Sequence, residues 1–319
     1  MSWSGRLLPG TATGGGRLAE AVDGLLEQQR GTWPLLAAGY AALPGIETRR
    51  LAVRASSVVV QHNPGRLRNT TADVAAAAAG ARPCFLCPQG LPPEERGVAF
   101  GEDYVVLGNP FPIFDRHLSI VHREHVPQRL SGRVEGLLAL AEALGPRYFV
   151  LYNGPRCGAS APDHLHFQAC AGRPLPVERD PGGAPGEGWV VRAPEDHGRT
   201  VVVLAAAGRD RLRRWIEDLV AALPAEDGDE PMLNLVAAAG EEGLTAYLFP
   251  RSRHRPAAFY AEGEARLLVS PGAIDMAGVV VVPERRDFER LQGPTLTAIF
   301  EEVTLGAAAV RRAAERIGR

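Results

Sequence analysis

The sequence predicts an α+β fold of two halves, each an antiparallel sheet with helices, in which the second half is a diverged copy of the first. Segments with apolar residues at every second position alternate with segments of helical periodicity. The order helix, strand, loop, strand over residues 133–168 recurs later in the chain. A proline- and glycine-rich stretch near residues 173–188 predicts a linker between the two runs. We therefore expect domains at residues 1–175 and 176–319.

The chain's length and composition narrow the classes of function. Its 319 residues and 45% hydrophobic content are sufficient for one large or two medium domains with a substantial core. The net charge of −2 argues against nucleic-acid and membrane-surface partners, which a basic field would attract. The sequence has no run of about 18 apolar residues, and residues 1–16 lack the pattern of a signal peptide. A cytoplasmic location is the default expectation.

All 35 basic residues are arginines, because the sequence contains no lysine. This absence excludes a Walker-type phosphate loop, a pyridoxal Schiff base and nucleotidyl transfer through a lysine amine. A covalent nucleotide intermediate would therefore need another nucleophile.

The first half is predicted to begin with helices and continue with strands. Leu18, Val22 and Leu25 have helical spacing within residues 17–44, and Pro34 marks a break. The valine-rich segment 51–61 predicts one strand. The remaining predicted elements of this half are strands at 104–107, 118–121, 148–152 and 164–168 and a helix at 133–144.

The second half is predicted to repeat this pattern without a pair of histidines. Its predicted elements are a strand-like segment at 190–205, a helix at 210–223, strands at 232–236, 244–249 and 278–282, and a final helix of roughly two dozen residues from about residue 293.

Two groups of polar side chains follow predicted strands and are candidates for substrate binding. Asn63 and Arg66 lie in the turn after the strand at 51–61, where they could position the phosphates or ribose of a nucleotide. An ordinary Asn-Pro turn with solvated arginines is the alternative. Arg251, Arg253 and His254 could hold a phosphate between the halves, and a solvated basic edge is the alternative. The sequence leaves these alternatives open.

The segment Y-N-G-P-R-C-G-A-S-A-P-D-H-L-H-F-Q at residues 152–168 carries the strongest functional signal. A strand from His164 to Gln168 would place His164, His166 and Gln168 on one face, because side chains alternate along a strand. Gly158 and Ser160 belong to a preceding loop with little side-chain bulk, in which backbone N–H groups can approach an anion. This combination is typical of phosphate chemistry.

The same residues resemble the transferase branch of the histidine-triad superfamily, which includes galactose-1-phosphate uridylyltransferase, diadenosine tetraphosphate phosphorylase and the GDP-hexose phosphorylases. The signature of this branch is His-x-His-x-Gln after an Asn and a Gly/Ser loop, and residues 164–168 match it with Asn153 upstream. Uridylyltransferases typically have Ser-x-Pro-His, whereas Asp163 here separates Pro162 from His164. The identity of the acceptor therefore stays open.

The spacing of Cys84 and Cys87 suits two thiolates on one tetrahedral metal. The resemblance completes this pair with His125 and His164 and implies a structural zinc site. His122 is the alternative third ligand, and two reduced core thiols are the alternative without a metal.

The resemblance implies that His166 is the nucleophile and forms a nucleotidyl-histidine, with Gln168 beside it. Asn153, Gly158 and Ser160 would bind phosphate oxygens. The implied substrates are a nucleoside diphosphate sugar or a dinucleoside polyphosphate, with phosphate or a sugar phosphate as acceptor, and a homodimer is one candidate assembly. A nucleotide hydrolase and a non-catalytic, zinc-stabilised nucleotide-binding protein are the alternatives.

Overall fold

A computed structural model describes residues 2–8, 17–71, 83–226 and 229–318. The strands are β1 Glu47–Val53, β2 Ser56–His62, β3 Gly97–Phe100, β4 Tyr104–Gly108, β5 Arg116–His122, β6 Tyr148–Asn153, β7 His166–Ala171, β8 Gly188–Arg192, β9 Val201–Ala206, β10 Leu233–Gly240, β11 Gly243–Pro250 and β12 Val279–Val282. The helices are α1 Arg17–Thr32, α2 Pro34–Ala41, α3 Leu67–Thr71, α4 Val134–Leu144, α5 Pro194–His197, α6 Arg209–Ala222, α7 Ala257–Tyr260, α8 Ala273–Met276, α9 Arg285–Arg290, α10 Gly293–Val303 and α11 Ala307–Ala314. Among these, no helix is both long enough and apolar enough to cross a bilayer.

A nine-stranded antiparallel sheet joins the two predicted halves, in the order β3-β4-β5-β7-β6-β10-β11-β9-β8. The order β4-β5-β7-β6 is repeated by β8-β9-β11-β10, and the two copies meet where β6 pairs with β10. Helix α4 connects β5 to β6, and α6 connects β9 to β10 in the same way. The predicted α+β fold with a diverged second copy is therefore confirmed.

Layers cover the sheet on both faces, which explains why its strands are apolar on both sides. In β6, Tyr148, Val150 and Tyr152 belong to the core cluster that includes residues of α1, α4 and α6. Phe149 and Leu151 belong to the opposite cluster, which includes residues of the small sheet β1-β2-β12 and of α8 and α10. The face of the sheet that carries the candidate site is thus covered by elements from both ends of the chain.

Three predicted elements differ from the structure because tertiary contacts divide them. The segment 51–61 lies in two strands, since β1 and β2 form a hairpin with Arg54 at φ 55° and the Ala55 N–H donating to Asp196. Non-glycine residues rarely adopt positive φ, so the sequence carried no turn signal there. The segment 190–205 is divided by α5. The final helix is divided at residues 304–306, where Leu305 bonds to Pro250.

Candidate active site

A cavity of about 430 Å³ lies on the covered face of the sheet, a volume in the range of small-molecule sites. His166, Gln168 and residues of the 153–160 loop line one part of it. The second half contributes residues around 254–255 and 270–275. Aromatic and aliphatic side chains complete the wall, among them Trp33, Leu35, Phe85, Leu91 and Phe111.

His166 is buried and held in one tautomer. Its Nδ1 lies 2.8 Å from the carbonyl oxygen of His164, which can only accept a hydrogen bond, so Nδ1 carries the proton. Nε2 is therefore unprotonated, and it has no partner among the described residues. Burial also lowers the pKa of His166. A neutral imidazole thus places a nitrogen lone pair in the wall of the cavity.

Gln128, which the sequence analysis did not identify, holds the backbone around His166. Its Oε1 accepts from the His166 N–H at 2.8 Å, and its Nε2 donates to the carbonyls of His166 and Asn153 at 3.0 and 2.9 Å. The start of β7 and the end of β6 are thereby joined through one buried side chain. No local pattern marks this glutamine, because its partners lie 25 and 38 residues away.

Gln168 is oriented by a second buried histidine, His117. The Ile113 N–H donates to His117 Nδ1 at 3.2 Å, so Nε2 carries the proton and donates to Gln168 Oε1 at 2.8 Å. Burial, followed by the charge of Arg66, lowers the pKa of His117 to about 3, so it stays neutral. With its oxygen occupied, Gln168 has its amide N–H groups available for a ligand.

The loop after β6 is supported from the second half of the chain. Asn153 Oδ1 accepts from Asn234 and from the Ala273 N–H, each at 2.8 Å. Gly158 has φ +113°, and a Cβ there would lie 3.2 Å from Asn153 Oδ1. Glycine is required at this position for both reasons. Ser160 lies in the same loop and lines the cavity.

His164 precedes β7 rather than belonging to it, so the prediction of one strand from 164 to 168 was wrong at its first two residues. The polypeptide turns at residues 162–164, and the His164 Nε2–H donates to the His122 carbonyl at 2.8 Å. Its Nδ1 faces Cys84 Sγ at 3.2 Å and Cys87 Sγ at 3.5 Å. Of the three residues predicted to share one face, His166 and Gln168 line the cavity, whereas His164 points to the cysteines.

The structure brings together the four predicted metal ligands. One donor atom from each of Cys84, Cys87, His125 and His164 lies within 4.8 Å of the others. His125 Nδ1 is 3.2 Å from Cys87 Sγ, while Asp163 Oδ2 lies 3.5 Å from Nε2. Histidine ligands commonly have such an acceptor on their second nitrogen. The donor set therefore fits a tetrahedral metal ion.

His122, the alternative third ligand, does not join this group. Its Nδ1 accepts from the Glu124 N–H at 3.1 Å, and its ring packs edge-on against Tyr104 at 5.6 Å between centroids. It contributes its backbone carbonyl to orient His164 instead.

Two arginines, Arg66 and Arg255, line the cavity together with an acid, Asp275. Arg66 donates to the Phe111 carbonyl at 2.9 Å. Burial lowers the pKa of Arg66 to about 10, and the charge of Asp275 offsets part of this effect. Asp275 accepts from two backbone N–H groups, and burial raises its pKa to about 6. His254 and Arg255 both bond to Ser270 Oγ, at 3.3 and 2.9 Å.

Three predicted substrate-binding residues do not line the cavity. Asn63 Nδ2 donates to Gln61 and to the Pro112 carbonyl, so it fastens the end of β2. Arg251 is buried, and its N–H groups donate to Asn234 and to backbone carbonyls, those of Pro271, Arg253, His254 and Val303. Arg253 is exposed and pairs with Glu302 at 2.9 Å. Their hydrogen-bonding capacity is used within the protein.

Comparisons with known proteins support the fold. A family model described as a domain of unknown function (DUF4922) matches residues 25–171. No curated protein sequence matches the chain.

The chain is similar to the yeast Ap4A phosphorylase Apa2, with TM-score 0.58 and 15% identity over 88% of this chain and 97% of that one. For the complex of that protein with Ap4A, the TM-score is 0.55 and the identity is 16%, over 90% of this chain and 96% of that one. For its complex with AMP, the TM-score is 0.50 and the identity is 17%, over 92% of this chain and 96% of that one. The similarity spans both halves and confirms the predicted fold.

Proposed function

We propose that the chain is a nucleotidyltransferase that acts on a nucleoside diphosphate sugar or a dinucleoside polyphosphate through a nucleotidyl-His166 intermediate. The observation that carries the proposal is the Nε2 of His166 in the cavity wall, which has no hydrogen-bond partner in the part of the chain that the structure describes, while Nδ1–H is held by the His164 carbonyl. The shared fold with a protein named Ap4A phosphorylase supports the substrate class.

The reaction is a double displacement at phosphorus. The Nε2 lone pair forms a P–N bond while the bond from phosphorus to the bridging oxygen breaks, which releases a sugar 1-phosphate or a nucleotide. An oxygen of phosphate or of a sugar phosphate then forms a new P–O bond as the P–N bond breaks. Because Nε2 is already unprotonated, the first step needs no general base. The His164 carbonyl stabilises the positive charge that the ring acquires.

Positioning and charge neutralisation contribute most of the rate in such transfers. The loop at 153–160 and the Gln168 amide would hold the non-bridging oxygens. Arg66 and Arg255 would neutralise the remaining phosphates, because both line the same cavity. Arg255 thereby takes the role that the sequence analysis gave to Arg251 and Arg253.

The site formed by Cys84, Cys87, His125 and His164 would hold a structural zinc ion. Four protein ligands close such a site, so the metal would supply rigidity and no reacting group. Its effect on the reaction would be indirect, because His164 also orients the nucleophile through its carbonyl. The 84–95 segment lines the cavity as well, so the metal would stabilise part of the wall.

A panel of nucleotide sugars and dinucleoside polyphosphates, incubated with and without phosphate and read by mass spectrometry, tests the proposal. We expect turnover that depends on phosphate and releases a nucleoside diphosphate. Release of a nucleoside monophosphate at the same rate without phosphate would instead identify a hydrolase. Tight nucleotide binding without any turnover across the panel would identify a binding protein.

We expect Gln168→His to increase the share of water among the acceptors. The amide of Gln168 cannot relay a proton, whereas an imidazole next to the nucleotidyl-histidine can activate water. The measurement is the ratio of nucleoside monophosphate to nucleoside diphosphate at fixed phosphate. Gln168→Leu, which removes the amide donors without adding a group that can accept a proton, is the matched control. An unchanged ratio in Gln168→His would place the selectivity elsewhere in the cavity.

A further inference from the structure

Glu95 is a buried acid in the cavity wall that the proposed mechanism does not use. It is 6% exposed, and among the described residues its carboxyl group makes no hydrogen bond or ion pair. Burying an acid without a partner destabilises a protein. Such a group is therefore expected to serve a ligand.

The backbone around Glu95 is fixed by long-range contacts. Arg6 donates to the carbonyls of Pro88, Leu91 and Pro92, so its N–H groups fix the backbone that precedes the acid. Gln29 accepts from the Arg96 N–H at 2.8 Å and donates to the Glu94 carbonyl at 3.2 Å. The segment is thus rigid on both sides of Glu95, which makes its carboxyl group a preorganised acceptor.

The surroundings of Glu95 suit a planar ligand. Gln29 lies one helical turn before Trp33, whose N–H donates to the Gln29 carbonyl. Trp33 lines the cavity, so the part of the wall that contains Glu95 adjoins this tryptophan. Phe85, Leu91 and Phe111 line the same cavity. Aromatic and aliphatic faces stack on nucleobases, and a single polar group among them selects the base by its hydrogen-bonding edge.

Within the proposed function, we propose that Glu95 determines the nucleobase and that the base is guanine. The two carboxylate oxygens accept from the N1–H and the exocyclic N2–H of guanine, a bidentate, charge-assisted pair. Adenine presents one donor and one acceptor, which a glutamine would match without the burial of an ionisable group.

The electrostatics of the site agree with this assignment. Burial raises the pKa of Glu95 to about 8, and Arg6 offsets the effect only in part. Two N–H donors from a base replace the solvation that burial removes, so the bound base stabilises the ionised form.

The test compares the affinities of the full-length protein and its Glu95→Gln variant for GMP, IMP and AMP by calorimetry. We expect the wild-type order GMP, IMP, AMP, because IMP lacks the exocyclic amine and AMP lacks both donors. Glu95→Gln should weaken GMP binding on the order of 10- to 100-fold, the worth of a bidentate base contact, and change AMP binding by less than about 3-fold. Glu94→Gln, an exposed neighbour, is the matched control and should change neither.

Two results would overturn the assignment while leaving the proposed function intact. One is tighter binding of AMP than of GMP by the wild type, and the other is equal GMP affinity in wild type and Glu95→Gln. In the second case, loss of glucose 1-phosphate binding in Glu95→Gln would show that the acid holds the sugar instead. Failure to bind any of the three nucleotides would contradict both proposals.

Discussion

His166→Ala is expected to abolish turnover and the covalent intermediate together. Removal of a nucleophile leaves only positioning and charge stabilisation, so we expect the rate to fall on the order of 10⁴-fold or more. Wild-type protein mixed with substrate but no acceptor should gain the mass of one nucleotidyl group, which is a nucleoside monophosphate less one water. This mass should be acid-labile, because a phosphoramidate hydrolyses in acid. Intact-protein mass spectrometry before and after acid treatment checks both.

The controls separate loss of the nucleophile from loss of the site. Nucleotide should still bind to His166→Ala, because the loop at 153–160 and Gln168 remain. His62→Ala changes a histidine that packs on Phe288 outside the cavity, and it should keep adduct and turnover. An adduct that survives in His166→Ala would refute the mechanism.

Cys84→Ser combined with Cys87→Ser is expected to remove the metal and destabilise the fold. Wild-type protein should contain about one zinc per chain, and the double variant none, by elemental analysis. Free zinc at about 1,000 times its dissociation constant stabilises a folded protein by about 4 kcal/mol. A chelator should therefore lower the Tm of the wild type and leave that of the double variant unchanged. Zinc retained in the double variant would contradict the assignment of the ligands.

Two single variants sharpen this test. Cys157→Ser replaces a buried cysteine whose Sγ donates to the Leu233 carbonyl at 3.0 Å, a bond that a hydroxyl can keep, so metal content should not change. His164→Ala should lose metal and activity together, because its ring faces the cysteines while its carbonyl orients His166.

The fold was predictable because its signals are local. Strand and helix periods in residues 133–168 and their repetition indicated the two copies, which the order of the nine-stranded sheet then confirmed. The divisions within residues 51–61 and near 304–306 were not predictable, because contacts with Asp196 and Pro250 produce them. No glycine or proline marks the first division, whereas Gly306 lies in the second, as the N-cap of the helix that follows.

The roles of polar side chains were predicted less well than the strands and helices. Asn63 and Arg251 have the residue types of phosphate ligands, yet buried carbonyls take up their donors. Composition alone cannot distinguish an arginine that binds a ligand from one that fastens a loop, because both offer the same N–H groups. The choice depends on which acceptors the fold places nearby.

The sequence by itself determined the two-copy architecture and pointed to His166, Gln168 and the pair Cys84 and Cys87, because short spacings encode these features. The resemblance to a known branch added His125 and His164 to that pair. Only the tertiary structure decided how Gln128 fixes the backbone of His166, how His117 orients Gln168, and where Glu95 lies in the cavity wall. The partners that settle these properties lie on other strands and loops, between 38 and 65 residues away for Gln128, His117 and Gln29. Protonation and orientation of a side chain depend on such partners, and no pattern along the chain records them.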